Sequence, residues 1–146
     1  MPQRPPAGGF EVVFVIKQRR RKIDRARIAR VLARAARSLR VAGELCLVFA
    51  ADRALRRLNA RYRGKDRPTD VLSFAGPGGA EGLGDVIISV PAAERNARRL
   101  GRTIAQELDV LALHGLLHVL GYDHETDDGA MERLEARLRR RLLRFA

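Results

Sequence analysis

The sequence predicts an α+β fold: a small mixed four-stranded sheet packed with about five helices, in a single domain. Three observations carry this prediction. Four short runs rich in β-branched and aromatic residues, FEVVFVIK, GELCLVFA, VLSFA and LGDVIISV, read as strands. Longer segments between and after them space their apolar residues three or four apart, the pattern of helices that bury one face. The two types mix without strict alternation and without internal repeat over 146 residues, a length suited to one domain with one core.

Taken in order, MPQRPPAGG (residues 1–9) is rich in Pro and Gly and is expected to be a disordered tail, leaving residues 10–146 as the domain. The first strand follows from Phe10. From about Ile23 to Leu39 the apolar positions Ile28, Val31, Leu32, Ala35 and Leu39 recur at helical spacing, with arginine on the other face. GELCLVFA is the second strand. Asp52 caps or opens a helix through LRRLNARYR that ends near Gly64. GKDRPTD has turn chemistry, VLSFA is the third strand, GPGGAEG a loop and LGDVIISV the fourth strand. Pro91 suits the first turn of the helix continuing through AAERNARRL, which Gly101 interrupts. A buried helix is predicted from about Thr103 to Leu120, with Gly121 as a left-handed cap. YDHETDD turns, and a last amphipathic helix runs from about Asp128 to Arg144. Its basic end, RLRRRLLR, suits the negative end of the helix dipole.

The formal net charge is +12, from 29 Lys and Arg against 17 Asp and Glu. Such a field favours polyanions, nucleic acid ahead of membrane. Only Lys17, Lys22 and Lys65 are lysines, so the arginine excess is equally what a biased base composition would produce. Cys46, the one cysteine, cannot form an intramolecular disulfide and reads as a core thiol rather than a nucleophile. The N-terminal stretch lacks the apolar segment of a signal peptide, and the longest apolar run, LDVLALHGLLHVLGY, is too short for a membrane span and carries two histidines. A cytoplasmic protein is expected.

The chemistry concentrates in HGLLHVLGYDH, residues 114 to 124, which holds all three histidines of the chain at the spacing H-x-x-x-H-x-x-G-x-x-H. His114 and His118 share one helix face, and a turn at Gly121 lets His124 approach as a third ligand. Three imidazoles hold zinc and leave a fourth position open, the pattern of a catalytic site. Nickel or copper would also be accepted. Zinc peptidases with this spacing carry a Glu directly after the first His as general base; here that position is Gly115. Asp123 and Glu125 flank the third ligand, either as acceptors that orient an imidazole or as exposed turn carboxylates. Met131 reads as core.

Together with LNARYRGKDRPTDVLSF and LGDVIIS, the histidine motif resembles the YbeY family of bacterial rRNA maturation factors. The segments occur in the family's order. The family's histidine motif, H-G-x-L-H-L-x-G-Y-D-H, is departed from only at Val119, and Ala75 stands where a proline usually follows the SF pair. The resemblance implies a zincin-like fold and a zinc-dependent, single-strand-specific endoribonuclease. It implies action in rRNA processing, notably 16S rRNA 3′-end maturation, and in ribosome quality control. It carries over one Zn²⁺ held by His114, His118 and His124, and Arg63, in YRGKD, beside the cleft as a fourth catalytic residue. The partners it implies are single-stranded RNA, rRNA and the small ribosomal subunit, with ribosomal proteins and an assembly GTPase as further expectations and no membrane.

RNA chemistry explains the missing Glu. A peptidase must protonate a poor amine leaving group, whereas RNA brings its own 2′-OH and passes through an anionic phosphorane. Zinc would polarise the scissile phosphate or supply hydroxide, Arg63 would clamp the phosphate, and Gly115 would open room beside the metal. Asp70 and Asp85 read as structural, Asp70 capping a turn or orienting Arg63. Ser73 has no spare His to activate it as a nucleophile. Two rivals stand beside this reading. One is a metallopeptidase using Glu107 or Asp109 as base; the other is a non-catalytic RNA-binding assembly factor whose zinc only holds the fold.

Overall fold

The computed structural model describes residues 9–65, 69–78, 82–123 and 127–143. The elements are β1 (Phe10–Ile16), α1 (Arg25–Leu39), β2 (Gly43–Ala50), α2 (Asp52–Arg63), β3 (Val71–Ala75), β4 (Gly84–Ser89), α3 (Val90–Leu100), α4 (Ile104–Val119) and α5 (Ala130–Leu142). The four strands form one mixed sheet in the order β1-β2-β4-β3, with β1–β2 and β2–β4 parallel and β3 antiparallel to β4. This is the four-stranded, five-helix α+β arrangement the sequence predicts.

The central strands β2 and β4 are covered on both faces, which is why they are apolar nearly throughout. Leu45, Leu47 and Phe49 of β2 and Val86 and Ile88 of β4 point into the main core, with α1, α3, α4 and α5. Ile87 points the other way, into a smaller cluster with Leu55 of α2 and Leu72 of β3. α4 runs through the middle of the main core, and every residue from Glu107 to Leu113 is buried. A helix walled by neighbours is apolar on all sides, so its sequence shows little of the two-faced pattern that marks α1 and α2.

Side-chain caps set the helix ends. α1 starts at Arg25, two residues later than the apolar pattern alone suggests, because the Asp24 carboxylate accepts from the Arg27 backbone N–H at 3.1 Å. At α4, Thr103 and Gln106 cap each other reciprocally. Its far end closes as the sequence predicts: Gly121, at φ +100°, donates to the His118 carbonyl at 3.0 Å, and Tyr122 donates to Leu117 at 3.1 Å. α5 is shorter than predicted. Its start is delayed to Ala130 because the Asp127 carboxylate takes the N–H groups of Gly129 and Met131 at 2.8 and 3.0 Å. Asp52 opens α2 but does not cap it; its carboxylate accepts from Ser89 and Arg95 instead.

Cys46 is half-buried, on the face of β2 that turns away from α4, so it is less sheltered than a core thiol; burial, with Asp85 nearby, pushes the thiol pKa up. The expected disordered tail, apart from Gly9, lies outside the described residues, as do 66–68 of the GKDRPTD turn and 79–81 of the GPGGAEG loop. Among the described residues no helix is long and apolar enough to cross a membrane.

Candidate active site

The last two turns of α4 supply the centre of the site. The four-residue spacing stacks His114 and His118 one turn apart, their rings edge to face with centroids 4.6 Å apart. Their Nε2 atoms face each other at 3.0 Å. On its other side the His114 ring is held by α5, with Nδ1 2.6 Å from Glu135 Oε1. A carboxylate only accepts, so this contact places a proton on Nδ1, and in the neutral ring the His114 Nε2 lone pair is then directed at His118. Two facing ring nitrogens need something positive between them, a proton on the His118 nitrogen or a cation.

The pair lines a cleft of about 670 Å³ between the end of α2, β3 and the turn after α4. Arg63 is the last residue of α2, and its guanidinium donates to the Ser73 carbonyl at 3.2 Å, which draws the cation across to β3. Gly64, in the left-handed conformation at φ +66°, stops the helix there and lets the chain turn toward Lys65, which also borders the cleft. The Ser73 hydroxyl donates to the Gly115 carbonyl at 3.2 Å, so it ties β3 to α4 and attacks nothing. Asp70 borders the cleft with its carboxylate anchored by Asn96 at 2.9 Å. That Asn96 amide also reaches Glu107 at 3.1 Å, and Arg102 reaches Glu107 at 2.7 Å. Arg63 thus bonds the Ser73 carbonyl, while Asp70 serves a network that fastens the start of β3 to α3 and α4. Asp85 stands opposite Cys46 in the sheet register, beside a separate apolar groove against α2.

Of the four residues expected to carry chemistry, the structure brings Arg63, His114 and His118 into one cleft. His124 lies outside the described residues, as does Glu125; Asp123, just before them, lines the cleft. Met131 is core, 1% exposed.

The expectation that Gly115 opens room beside the metal is corrected. Gly115 is buried and faces the sheet: a Cβ there would lie 2.4 Å from Val86 Cγ1 and 3.0 Å from Cγ2. The glycine lets α4 lie close against β4, and a Glu at 115 would drive into Val86. The carboxylates weighed as substitute peptidase bases are committed elsewhere. Glu107 is held by Arg102 and Asn96, and Asp109, 1% exposed, by Arg27 at 2.8 Å.

Sequence reasoning missed Glu135, which comes 21 residues after His114 and belongs to no local motif. One signal was available. Glu135 sits four residues after Met131 and three before Leu138, both buried, so it falls on the inward stripe of α5, where a carboxylate needs a partner.

A family profile described as endoribonuclease YbeY matches residues 14–144. The chain belongs to the YbeY endoribonuclease family. The match spans α2, β3, α4 and α5, and with them every residue of the cleft described above. Among curated relatives, the endoribonuclease YbeY of Moorella thermoacetica is 50% identical over 122 residues, covering 74% of this chain and 78% of the relative. That of Koribacter versatilis is 39% identical over 131 residues, covering 89% and 85%. Among solved structures, the solution structure of TM1509 from Thermotoga maritima superposes with a TM-score of 0.58 at 25% identity over 86% of each chain. The fold of this chain thus has a solved counterpart with which its arrangement of sheet and helices agrees.

Proposed function

We propose that the chain is a zinc-dependent endoribonuclease specific for single strands, with the cleft between α2 and α4 as its active site. Membership of an endoribonuclease family supports RNA as the substrate class and phosphodiester cleavage as the reaction. The observation that carries the metal is the facing Nε2 pair, with Glu135 fixing the tautomer of His114. Two imidazoles on one tetrahedral zinc, each about 2.0–2.1 Å from it, hold their nitrogens roughly 3.3 Å apart. The 3.0 Å found here is within a few tenths of an ångström of that. A carboxylate on the far ring nitrogen is the usual companion of a metal-bound histidine. His114 and His118 therefore fit the ion as two ligands, and the spacing of the histidine motif supplies His124, outside the described residues, as the third.

Bound there, zinc supplies Lewis-acid charge for the scissile phosphate and lowers the pKa of water. The chain's own residues do the rest. Arg63 and Lys65 present cations along one wall, where Arg63 can clamp a phosphate while its backbone-bonded guanidinium stays fixed to β3. Tyr122 offers an aromatic surface on which an unpaired base can stack. The histidines are half-buried, so a phosphate must enter a recess to reach them. A flexible strand can do so more readily than a stiff duplex, which supports the single-strand preference. Action at the 3′ end of 16S rRNA, a part in ribosome quality control and small-subunit partners rest on the sequence resemblance.

The test uses zinc-quantified protein with labelled single-stranded and duplex RNA, beside His118→Ala and Arg63→Ala variants. The reading expects cleavage of the single strand alone. It expects His118→Ala to lose zinc and activity together, and Arg63→Ala to keep its zinc while losing rate. Equal loss of zinc and rate in Arg63→Ala would remove the clamp. RNA binding without cleavage, with metal removal unfolding the protein, would turn the reading into that of an assembly factor with a structural zinc.

A further inference from the structure

A second concentration of positive charge lies on α2 and beside it. With 3.6 residues per turn, Arg53, Arg56, Arg57, Arg61 and Arg63 fall within a sector of about 160°, opposite the buried Leu55. One end of this arginine face is Arg63, in the cleft. The other end runs into a second groove of about 870 Å³, between the segment after β1, the start of α2, and α3. Its lining includes Lys17, Arg20, Arg53, Arg57, Arg95 and Arg98 against two carboxylates, Asp52 and Glu94.

Both carboxylates are already neutralised. Arg95 donates to Asp52 at 2.8 and 3.1 Å, and Ser89 adds a hydrogen bond. Glu94, 7% exposed, is paired with Arg20 at 2.6 Å and Arg21 at 3.1 Å. Arg95 and Arg20 hold these two carboxyls below the usual carboxylate range. Lys17, Arg53, Arg57 and Arg98 are exposed, and none of them pairs with a carboxylate among the described residues. The groove therefore keeps a surplus of positive charge. α2, at 1.5 Å per residue, carries it about 18 Å to the cleft, roughly the length of five phosphates at the 3.4 Å per-strand spacing of stacked nucleic acid.

We propose that the outer face of α2 and the groove at its start form an exosite that holds the backbone of single-stranded RNA on its way into or out of the cleft. The proposal rests on the endoribonuclease reading and extends it, assigning Arg53, Arg57 and Arg98 to binding at a distance from the reacting phosphate. Among the described residues the groove lining has no aromatic side chain, so the groove holds phosphates without stacking bases. Its consequence is a preference for long substrates over short ones.

The experiment compares three proteins by fluorescence anisotropy across a salt series. They are the unaltered chain, Arg53→Gln/Arg57→Gln/Arg98→Gln, and a control of equal charge, Arg30→Gln/Arg34→Gln/Arg37→Gln. The control residues are exposed on α1, which packs on the sheet face opposite α2. Each protein is titrated with a long single strand and with an oligonucleotide short enough to occupy the cleft alone. Losing three phosphate contacts should make the slope of log K against log salt shallower by about 2 and weaken long-strand binding roughly 100-fold at 0.1 M salt. The control should change little, and short-oligonucleotide cleavage should be the same in all three. If the triple variant melts early, the pair Arg57→Gln/Arg98→Gln carries the same comparison, with a slope change of about 1.4. Equal losses in variant and control would mean net charge alone and would overturn the exosite, as would a variant that binds the long strand normally. Unaltered protein that binds neither RNA would overturn the endoribonuclease reading and the exosite with it.

Discussion

Replacing Gly115 with alanine sets two effects against each other. Alanine is the better helix residue by about 0.8–1.0 kcal/mol, so a solvent-facing Gly→Ala change in α4 would stabilise the protein. At 115, however, the new methyl would sit 2.4 Å from Val86 Cγ1, 3.0 Å from Cγ2 and 3.2 Å from Cβ. Val86 is fully buried in the main core and β-branched, so it has no free rotamer to retreat into. α4 must lift off β4 by several tenths of an ångström or more, and an approach as short as 2.4 Å puts the overpacking cost in the upper part of its range, about 2–3 kcal/mol. Packing wins, and the net loss should be about 1–2 kcal/mol, or roughly 3–8 °C in Tm for a domain of this size. Urea titration with an unchanged m value measures it. In a Val86→Ala background the same Gly115→Ala change should cost little, because the methyl then fills space the valine vacated, a coupling of at least about 1 kcal/mol in the double-mutant cycle. A Gly115→Ala protein as stable as the parent or more so, or an equal loss in the Val86→Ala background, would refute the close approach. The same contact predicts that Gly115→Glu makes no peptidase: it forces a carboxylate against Val86 and unsettles the fold.

Glu135→Gln should weaken zinc binding about 10- to 100-fold while leaving the melting curve of metal-free protein nearly unchanged; equal zinc affinity in parent and variant would detach Glu135 from the site. Burial holds the Asp109 carboxyl above its ordinary range although Arg27 opposes this. A raised folded pKa means that the group's stabilising contribution is complete below its unfolded pKa, about 3.9, and is lost as pH rises through the folded value. Removing the cation in Arg27→Gln should therefore cost little below pH ~4 and up to ~3 kcal/mol at pH 7, read from urea titrations at both pH values; a cost independent of pH would contradict the burial argument. Glu94 has the opposite sign, since Arg20 lowers its pKa. Its contribution is present above the ordinary Glu range and lost as pH falls, so Glu94→Gln should flatten the acid limb of the stability profile below pH ~4.5. Chelation should abolish activity yet leave helical circular dichroism intact, because α4 is walled by the sheet and three helices; unfolding on chelation would make the metal structural.

What local chemistry sets was legible in the sequence. The four strands fall where β-branched runs predict them, and Gly64 and Gly121 end their helices in left-handed conformations, which the missing Cβ makes inexpensive. The spacing of His114 and His118 placed two imidazoles on one face before any tertiary contact was known. Where competing caps acted, the prediction slipped: Asp24 and Asp127 shortened α1 and α5, while Asp52 opens α2 as expected with its carboxylate turned to Arg95.

Only the tertiary structure decided what meets across the fold. Glu135 reaches His114 from another helix, Arg63 is drawn to β3 by a backbone carbonyl that any residue could supply, and Gly115 proves to answer to Val86 rather than to the cleft. The physical reason is the range of the interactions. Helix and strand periodicity and terminal capping act between residues a few positions apart, so the order of residue types records them. The direction a buried position faces depends on which distant element packs against it, and that is settled when the sheet and helices close on one another.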